Sequence, residues 1–146
     1  MKKIIILLSF PVLLIGQTAR LNEKKIFKNY AFGASPDKYK NLVLEDDRGN
    51  TKFYSFKKEN LKINGVELKY LRLIFFKNKL SGISIKTKNK NGCKLYQRLK
   101  EHYGVPVKSN YAEKKYKWNG NKTELIFEKC ETEPDALVSF YSYTVF

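Results

Sequence analysis

Apolar and polar residues alternate along much of the chain, and this two-residue period predicts a protein built mainly from β-strands. Strands are expected at residues 26–35, 51–56, 66–76, 80–87, 114–118, 121–127 and 136–146. In the longest of them, Leu71, Leu73 and Phe75 share one face, and apolar side chains also dominate the other. A strand that is apolar on both faces belongs in the interior of its sheet.

Turn residues separate these strands at short intervals. Asn64-Gly65 and the Lys77-Asn78-Lys79 stretch predict tight reversals, and residues 45–50 predict a turn rich in Asp, Gly and Asn. Asn119-Gly120 predicts a two-residue type I′ hairpin. That hairpin would place Lys115, Lys117, Lys122, Glu124 and Glu128 on the outer side of its two strands.

Two segments predict helices. Residues 36–43 follow Ser35, a possible N-cap, and Pro36, which suits the first helical position. Residues 92–103 lie between Asn91, another N-cap candidate, and Gly104, which is followed by a helix-blocking proline. The apolar stripe of this second helix is formed by Leu95, Tyr96, Leu99, His102 and Tyr103.

The order of these elements predicts an α+β fold in which an antiparallel sheet carries two helices on one face. Each predicted helix precedes three predicted strands, so the chain could also be a tandem repeat of a helix and three strands. We expect one domain, spanning residues 17–146, because its length and apolar content suffice for one core.

The start of the chain has the pattern of a secretory signal peptide. Lys2 and Lys3 precede an apolar run of twelve residues, Ile4 to Ile15. As a helix this run would span about 18 Å, short of the ~30 Å hydrocarbon core, so an uncleaved anchor is the weaker alternative. We expect cleavage after Gly16, or at the latest after Ala19, and a secreted or periplasmic mature protein.

The chain is strongly basic, with 29 Lys and Arg residues against 14 Asp and Glu residues and a net charge of +15. Such a charge suggests an anionic partner, although a lysine-rich surface that is merely solvated gives the same composition. Only four of the basic residues are arginines, which disfavours a nucleic-acid partner. The expected partner is an envelope protein or an anionic envelope component, such as lipid headgroups or an acidic glycan, at Lys115, Lys117 and Lys122.

The residues that usually carry chemistry are few. The two cysteines, Cys93 and Cys130, are expected to form a structural disulfide, because export brings them into an oxidising compartment. His102 is the only histidine, and on a helix it lies half a turn out of phase with Cys93. Neither a catalytic motif, a metal-ligand spacing nor a cofactor fingerprint occurs in the sequence.

These observations favour a non-enzymatic binding or accessory protein of the bacterial envelope, with no cofactor and no metal. The alternative is a secreted hydrolase or thiol enzyme whose site is assembled from scattered residues. A pocket converging on His102 with nearby carboxylates would favour the enzyme, and a flat basic face would favour binding.

Four short stretches carry a resemblance to other proteins: residues 32–35, 76–80, 103–106 and 116–123. Together they resemble small, mostly uncharacterised exported proteins of Gram-negative bacteria, especially Bacteroidetes-like ones. The order of helices and strands is also similar to that of the beta-lactamase inhibitor protein and of small outer-membrane assembly lipoproteins. The chain lacks the lipid-bearing cysteine of the latter and an inhibitory loop motif of the former, so the resemblance implies a fold and no activity.

Overall fold

The computed structural model describes residues 21, 27, 29–57, 61–88, 90–110, 114–129 and 135–145. The predicted signal peptide, residues 1–16, and Cys130 lie outside these ranges. The described elements are β1 (Leu42–Arg48), β2 (Thr51–Phe56), β3 (Lys62–Ile63), β4 (Val66–Phe76), β5 (Lys79–Thr87), α1 (Gly92–Tyr103), β6 (Val107–Asn110), β7 (Lys115–Asn119), β8 (Thr123–Lys129) and β9 (Ala136–Ser142). No helix among the described residues is both long and apolar enough to cross a membrane.

All strand pairs in the sheet are antiparallel, and the strand order is β1-β2-β4-β5-β9-β8-β7-β6. The two-residue β3 pairs only with β4. Helix α1 follows β5 in the middle of the sheet, and the chain then builds inwards from the far edge through β6, β7 and β8 until β9 pairs with β5. The expected interior position of β4 is confirmed.

Helix α1 covers the β7–β9 part of one sheet face. Its buried residues are Gly92, Leu95, Leu99 and Tyr103. At its start, a Cβ added to Gly92 would stand 2.9 Å from the Cβ of Ala136, so helix and β9 are in close contact. At its end, the indole Nε1 of Trp118 donates a hydrogen bond of 2.8 Å to the carbonyl oxygen of Gly104. The bounds predicted for this helix are confirmed, and Leu95, Leu99 and Tyr103 of the predicted apolar stripe are buried. The N-cap candidate Asn91 makes no side-chain cap hydrogen bond.

The helix predicted at residues 36–43 does not form. The fold is α+β, and α1 is the one α-helix longer than a single residue in the described ranges. Pro36–Lys38 is a 3-10 turn, and Asn41, with φ of 63°, is left-handed, which ends any helical path. Residues 42 onwards then pair with β2 as strand β1. Because residues 36–43 do not form the predicted helix, the helix-plus-three-strand repeat is not seen in the described part of the chain.

Aromatic rings cover the same face where the helix is missing. Phe32 packs on Phe140 with ring centroids 5.0 Å apart, and Tyr39 packs on Phe75 at 6.2 Å. Leu21 is also completely buried. The described residues 29–35 contain no strand, so the strand expected there is not found; the rest of that prediction lies outside the described residues.

Two of the three predicted tight turns are confirmed. Asn64-Gly65 and Lys77-Asn78 have positive φ at both residues, as type I′ turns require. Asn119 and Gly120 do not have positive φ, so the turn predicted there is wrong. Strands β7 and β8 are instead connected through Asn121-Lys122, and the Gly120 N–H donates a hydrogen bond to the carbonyl oxygen of Thr123. The side chains of β7 and β8 still lie on the predicted faces. The observed pairing differs from the predicted one by an even number of residues, and side chains alternate between the faces with a period of two.

Candidate functional site: the open face of the sheet

The sheet face opposite α1 is the candidate site, and we call it the open face. None of the described elements outside the sheet packs on it. Its side chains come from alternate positions of every strand, and across the strands they line up in rows because directly paired residues share a face. Most of them are half-buried by their neighbours in the rows.

Three rings and three cations meet at the β1–β2–β4 end of the open face. The guanidinium carbons of Arg48 and Arg72 lie 5.1 and 5.9 Å from the ring centroid of Phe53. Arg72 is also 5.5 Å from the Tyr70 ring, and Lys77 Nζ is 5.2 Å from the Phe76 ring. These distances are in the range of cation–π attraction. We call this set (Arg48, Phe53, Tyr70, Arg72, Phe76 and Lys77) the arginine–aromatic cluster.

Both arginines in the cluster are oriented by carboxylates of β1. Arg48 Nε donates to Asp46 Oδ2 and Arg72 Nε donates to Glu45 Oε2, each at 2.7 Å. Glu45 reaches Arg72 from a register shift between Leu44 and Asp46. No described residue accepts a hydrogen bond from the Nη groups of either arginine, and the side chains are 70% and 42% exposed. Each guanidinium therefore keeps four oriented N–H donors for a ligand.

The β7–β8 end of the open face has a different chemistry. Lys115 pairs with Glu128 at 2.7 Å, and Lys117 forms a close ion pair with Glu124. We call these four residues the lysine–glutamate cluster. Tyr143 is largely exposed, but partial desolvation of its hydroxyl group, followed by the hydrogen bond and the negative charge of Glu124, raises its pKa to about 12. Charges here satisfy each other across the strands.

The lysines predicted as a basic binding face are thus only partly available. Lys115 and Lys117 lie on the open face, but Glu128 and Glu124 match their charges. Lys122 is exposed in the turn between β7 and β8, where its carbonyl oxygen accepts a hydrogen bond from the Tyr143 N–H. The lysine–glutamate cluster has no net charge, whereas the arginine–aromatic cluster with its two carboxylates has a net charge of +1.

A cleft of about 180 Å³ lies between α1 and the β7–β8 pair. Its walls are Cys93, Tyr96, Gln97, Tyr116 and Phe127. Cys93 is exposed and has no bridging partner among the described residues. Because Cys130 lies outside them, the disulfide stays a prediction. His102, at the far end of α1, is not among the cleft residues.

The acidic residues of the turn predicted at residues 45–50 lie in a strand instead. Glu45, Asp46 and Asp47 belong to β1 and pair with Arg72, Arg48 and Lys52. Asp135 is only 8% exposed, and its Oδ1 has no hydrogen-bond partner. Among the described residues no three His, Cys, Asp or Glu side chains gather into a group that could hold a metal ion.

Sequence reasoning missed the arginine–aromatic cluster because residues 45–50 were taken for a turn. One signal was present: the chain has only four arginines, and Arg72 lies two positions from Tyr70 in an alternating segment. No protein-family model matches the chain, and comparisons with curated proteins and with solved structures find no match either.

Proposed function

We propose that this protein is an exported, non-enzymatic binding protein of the bacterial envelope, and that it binds an anionic envelope component on the open face of its sheet. The observation that carries the proposal is the arginine–aromatic cluster, whose guanidinium groups are positioned by rings and carboxylates, while their Nη donors have no partner among the described residues. The secretory pattern of residues 1–16 supports export.

The physical basis is preorganisation. A mobile surface lysine loses side-chain entropy when it binds an anion, whereas Arg48 and Arg72 are already confined by Phe53 and by their carboxylates. Guanidinium also binds carboxylate or phosphate through two parallel hydrogen bonds. The two groups lie at most about 11 Å apart, from their distances to the shared ring, so one ligand can reach both.

A pair of double variants with equal change in charge tests the proposal. Arg48→Gln with Arg72→Gln removes two cations at the cluster, and Lys115→Gln with Lys117→Gln removes two cations at the other end. The second pair lies about four strands from Arg72, roughly 19 Å away. Charges at that distance are screened at physiological salt, where the Debye length is about 8 Å.

We expect the arginine pair to weaken binding of anionic polymers, measured by titration calorimetry on the mature protein, by at least about tenfold. The lysine pair should change affinity by no more than about twofold, and binding by the unmodified protein should fall steeply between low and physiological salt. Equal losses of affinity in the two double variants would show that anions bind to the basic surface in general, and would overturn the proposed site.

A further inference from the structure

A row of three serines and one arginine crosses the open face through the arginine–aromatic cluster. The strand pairings align Ser55 with Arg72, Arg72 with Ser84, and Ser84 with Ser139, so the row runs through β2, β4, β5 and β9. Adjacent strands are about 4.8 Å apart, which makes the row roughly 14 Å long. We call these four residues the serine row.

Larger side chains stand on both sides of the serine row. The neighbouring row on one side lies two residues away along each strand, and its members include Phe53, Ile74 and Tyr141. On the other side they include Tyr70, Lys86 and Leu137. The flanking rows lie four residues apart along the strands, about 13 Å between Cα positions, so the serine row is the floor of a shallow trough.

The polar groups of the trough floor have hydrogen-bonding capacity that the described residues do not use. Ser55, Ser84 and Ser139 are half-buried, and their hydroxyl groups make no hydrogen bond with any described residue. The Nη donors of Arg72 are likewise unused within the described chain. In the row that contains Tyr141, Gly82 has no side chain, and the Tyr141 ring occupies the space above this glycine. A Cβ added to Gly82 would lie 3.0 Å from that ring.

We infer that the trough binds a carboxylated sugar chain, a linear polymer of uronic acid type, with one carboxylate on Arg72 and sugar hydroxyls on the serine row. This inference rests on the proposed function and specifies its ligand. Serine hydroxyls both donate and accept, as sugar hydroxyls do, and the guanidinium fork matches a planar carboxylate. The rings of Phe53, Tyr70 and Tyr141 give the walls apolar surface for the C–H groups of the sugar.

Other anionic polymers fit the trough less well. A sheet binds an extended peptide through unpaired backbone groups at its edge, whereas β2, β4, β5 and β9 are all interior strands with their backbone groups in the ladder. A lipid surface meets a protein as a plane, and the serine hydroxyls lie below two rows of larger side chains. Glu45 and Asp46 also oppose a dense layer of negative charge.

The test is calorimetric titration of the full mature protein with an oligogalacturonate and with its methyl ester, which has the same chain without the carboxylate charges. We expect the acid to bind at least about tenfold more tightly than the ester, and Arg72→Gln to abolish that difference. The only tryptophan, Trp118, lies on the opposite face, so its fluorescence should stay unchanged on binding and report the folded state.

Two variants of the floor test the position of the ligand. Ser84→Leu fills the trough and should weaken oligogalacturonate binding at least about tenfold; Ser84→Ala, which removes only the hydroxyl, should weaken it by about two- to fivefold. Ser35→Leu, an exposed position outside the sheet, should have no effect. Unchanged binding in Ser84→Leu and Ser84→Ala would overturn the inference.

A third probe separates failure of this inference from failure of the proposed function. Vesicles containing phosphatidylglycerol present phosphate groups without a sugar acid. If the vesicles bind in an Arg48- and Arg72-dependent way and oligogalacturonate does not, the sugar ligand is wrong and anion binding at the cluster stands. If neither probe binds through these arginines, both proposals are overturned.

Discussion

The two ends of the sheet differ on both of their faces. At the β7–β9 end, a regular helix covers the core face, and the charges of the open face are matched by the lysine–glutamate cluster. At the β1–β4 end, Tyr39 from an irregular segment packs on the core face, and no described residue uses the Nη donors of the arginine–aromatic cluster. The charges of the first end pair with each other, and the second end presents hydrogen-bond donors that the described residues leave available.

The largest expected effect tests the core under the two ends. Trp118→Ala should lower the free energy of unfolding by about 3–5 kcal/mol, because it empties a buried site and leaves the Gly104 carbonyl without its donor. Tyr39→Ala, at the other end, removes a half-buried ring and should cost roughly 2 kcal/mol. Urea unfolding followed by circular dichroism measures both. Equal costs would show that the aromatic segment packs as firmly as the helix.

The predicted disulfide between Cys93 and Cys130 would strengthen only the helix-covered end. By the chain-entropy estimate, reducing the bridge should lower the free energy of unfolding by roughly 4 kcal/mol. Thiol titration of protein isolated from an oxidising compartment should find no reactive thiol, and Cys93→Ser should reproduce the reduced stability. Two reactive thiols in the native protein would disprove the bridge and reopen the thiol-enzyme alternative.

Gly92→Ala tests the close contact between α1 and β9. Alanine favours a helix by up to about 1 kcal/mol over glycine. The new Cβ would nevertheless stand 2.9 Å from the Ala136 Cβ and 3.3 Å from its backbone nitrogen, and crowding of this kind costs about 1–3 kcal/mol. We therefore expect a net loss in thermal stability. Gln97→Ala, an exposed change in the same helix, should stay within about 0.5 kcal/mol and is the matched control.

A comparison of two glutamates tests whether the charges at the two ends differ in their structural importance. The Glu124 side chain is 13% exposed and serves both Lys117 and Tyr143, so Glu124→Ala should lower the free energy of unfolding by about 1–2 kcal/mol. The Glu45 side chain is 33% exposed and pairs with Arg72, so Glu45→Ala should cost less than about 1 kcal/mol. Chemical denaturation of both variants gives the answer; a larger cost for Glu45 would reverse the comparison.

The smallest effect is expected at high pH. The folded protein holds the Tyr143 proton up to a pKa of about 12, against an ordinary value of 10.0. A raised folded-state pKa stabilises the folded form fully below pH 10, and that contribution is lost as the pH rises towards 12. Tyr143→Phe should therefore flatten the decline of the urea midpoint between these pH values. An unchanged slope would mean that Tyr143 titrates normally.

The sequence by itself determined the local elements. Alternation and strong turn residues defined β2, β4 and the Asn64-Gly65 and Lys77-Asn78 turns, and an apolar stripe ending at Gly104 defined α1. These features depend on contacts within a few residues, which a single sequence displays. The helix predicted at residues 36–43 was wrong. A proline, an apolar spacing and a possible cap fit a helix locally, but pairing with β2 makes residues 42 onwards a strand.

Only the tertiary structure decided which charges remain available and which side chains stand together. The sequence predicted that Lys115 and Lys117 share a face with Glu124 and Glu128, but only the register of β7 on β8 brings a glutamate within ion-pair distance of each lysine. The serine row is assembled from four strands, and a register slip of one residue in any of them would turn its member to the other face. Register depends on contacts between distant segments, and for that reason the candidate site could not be found from local patterns.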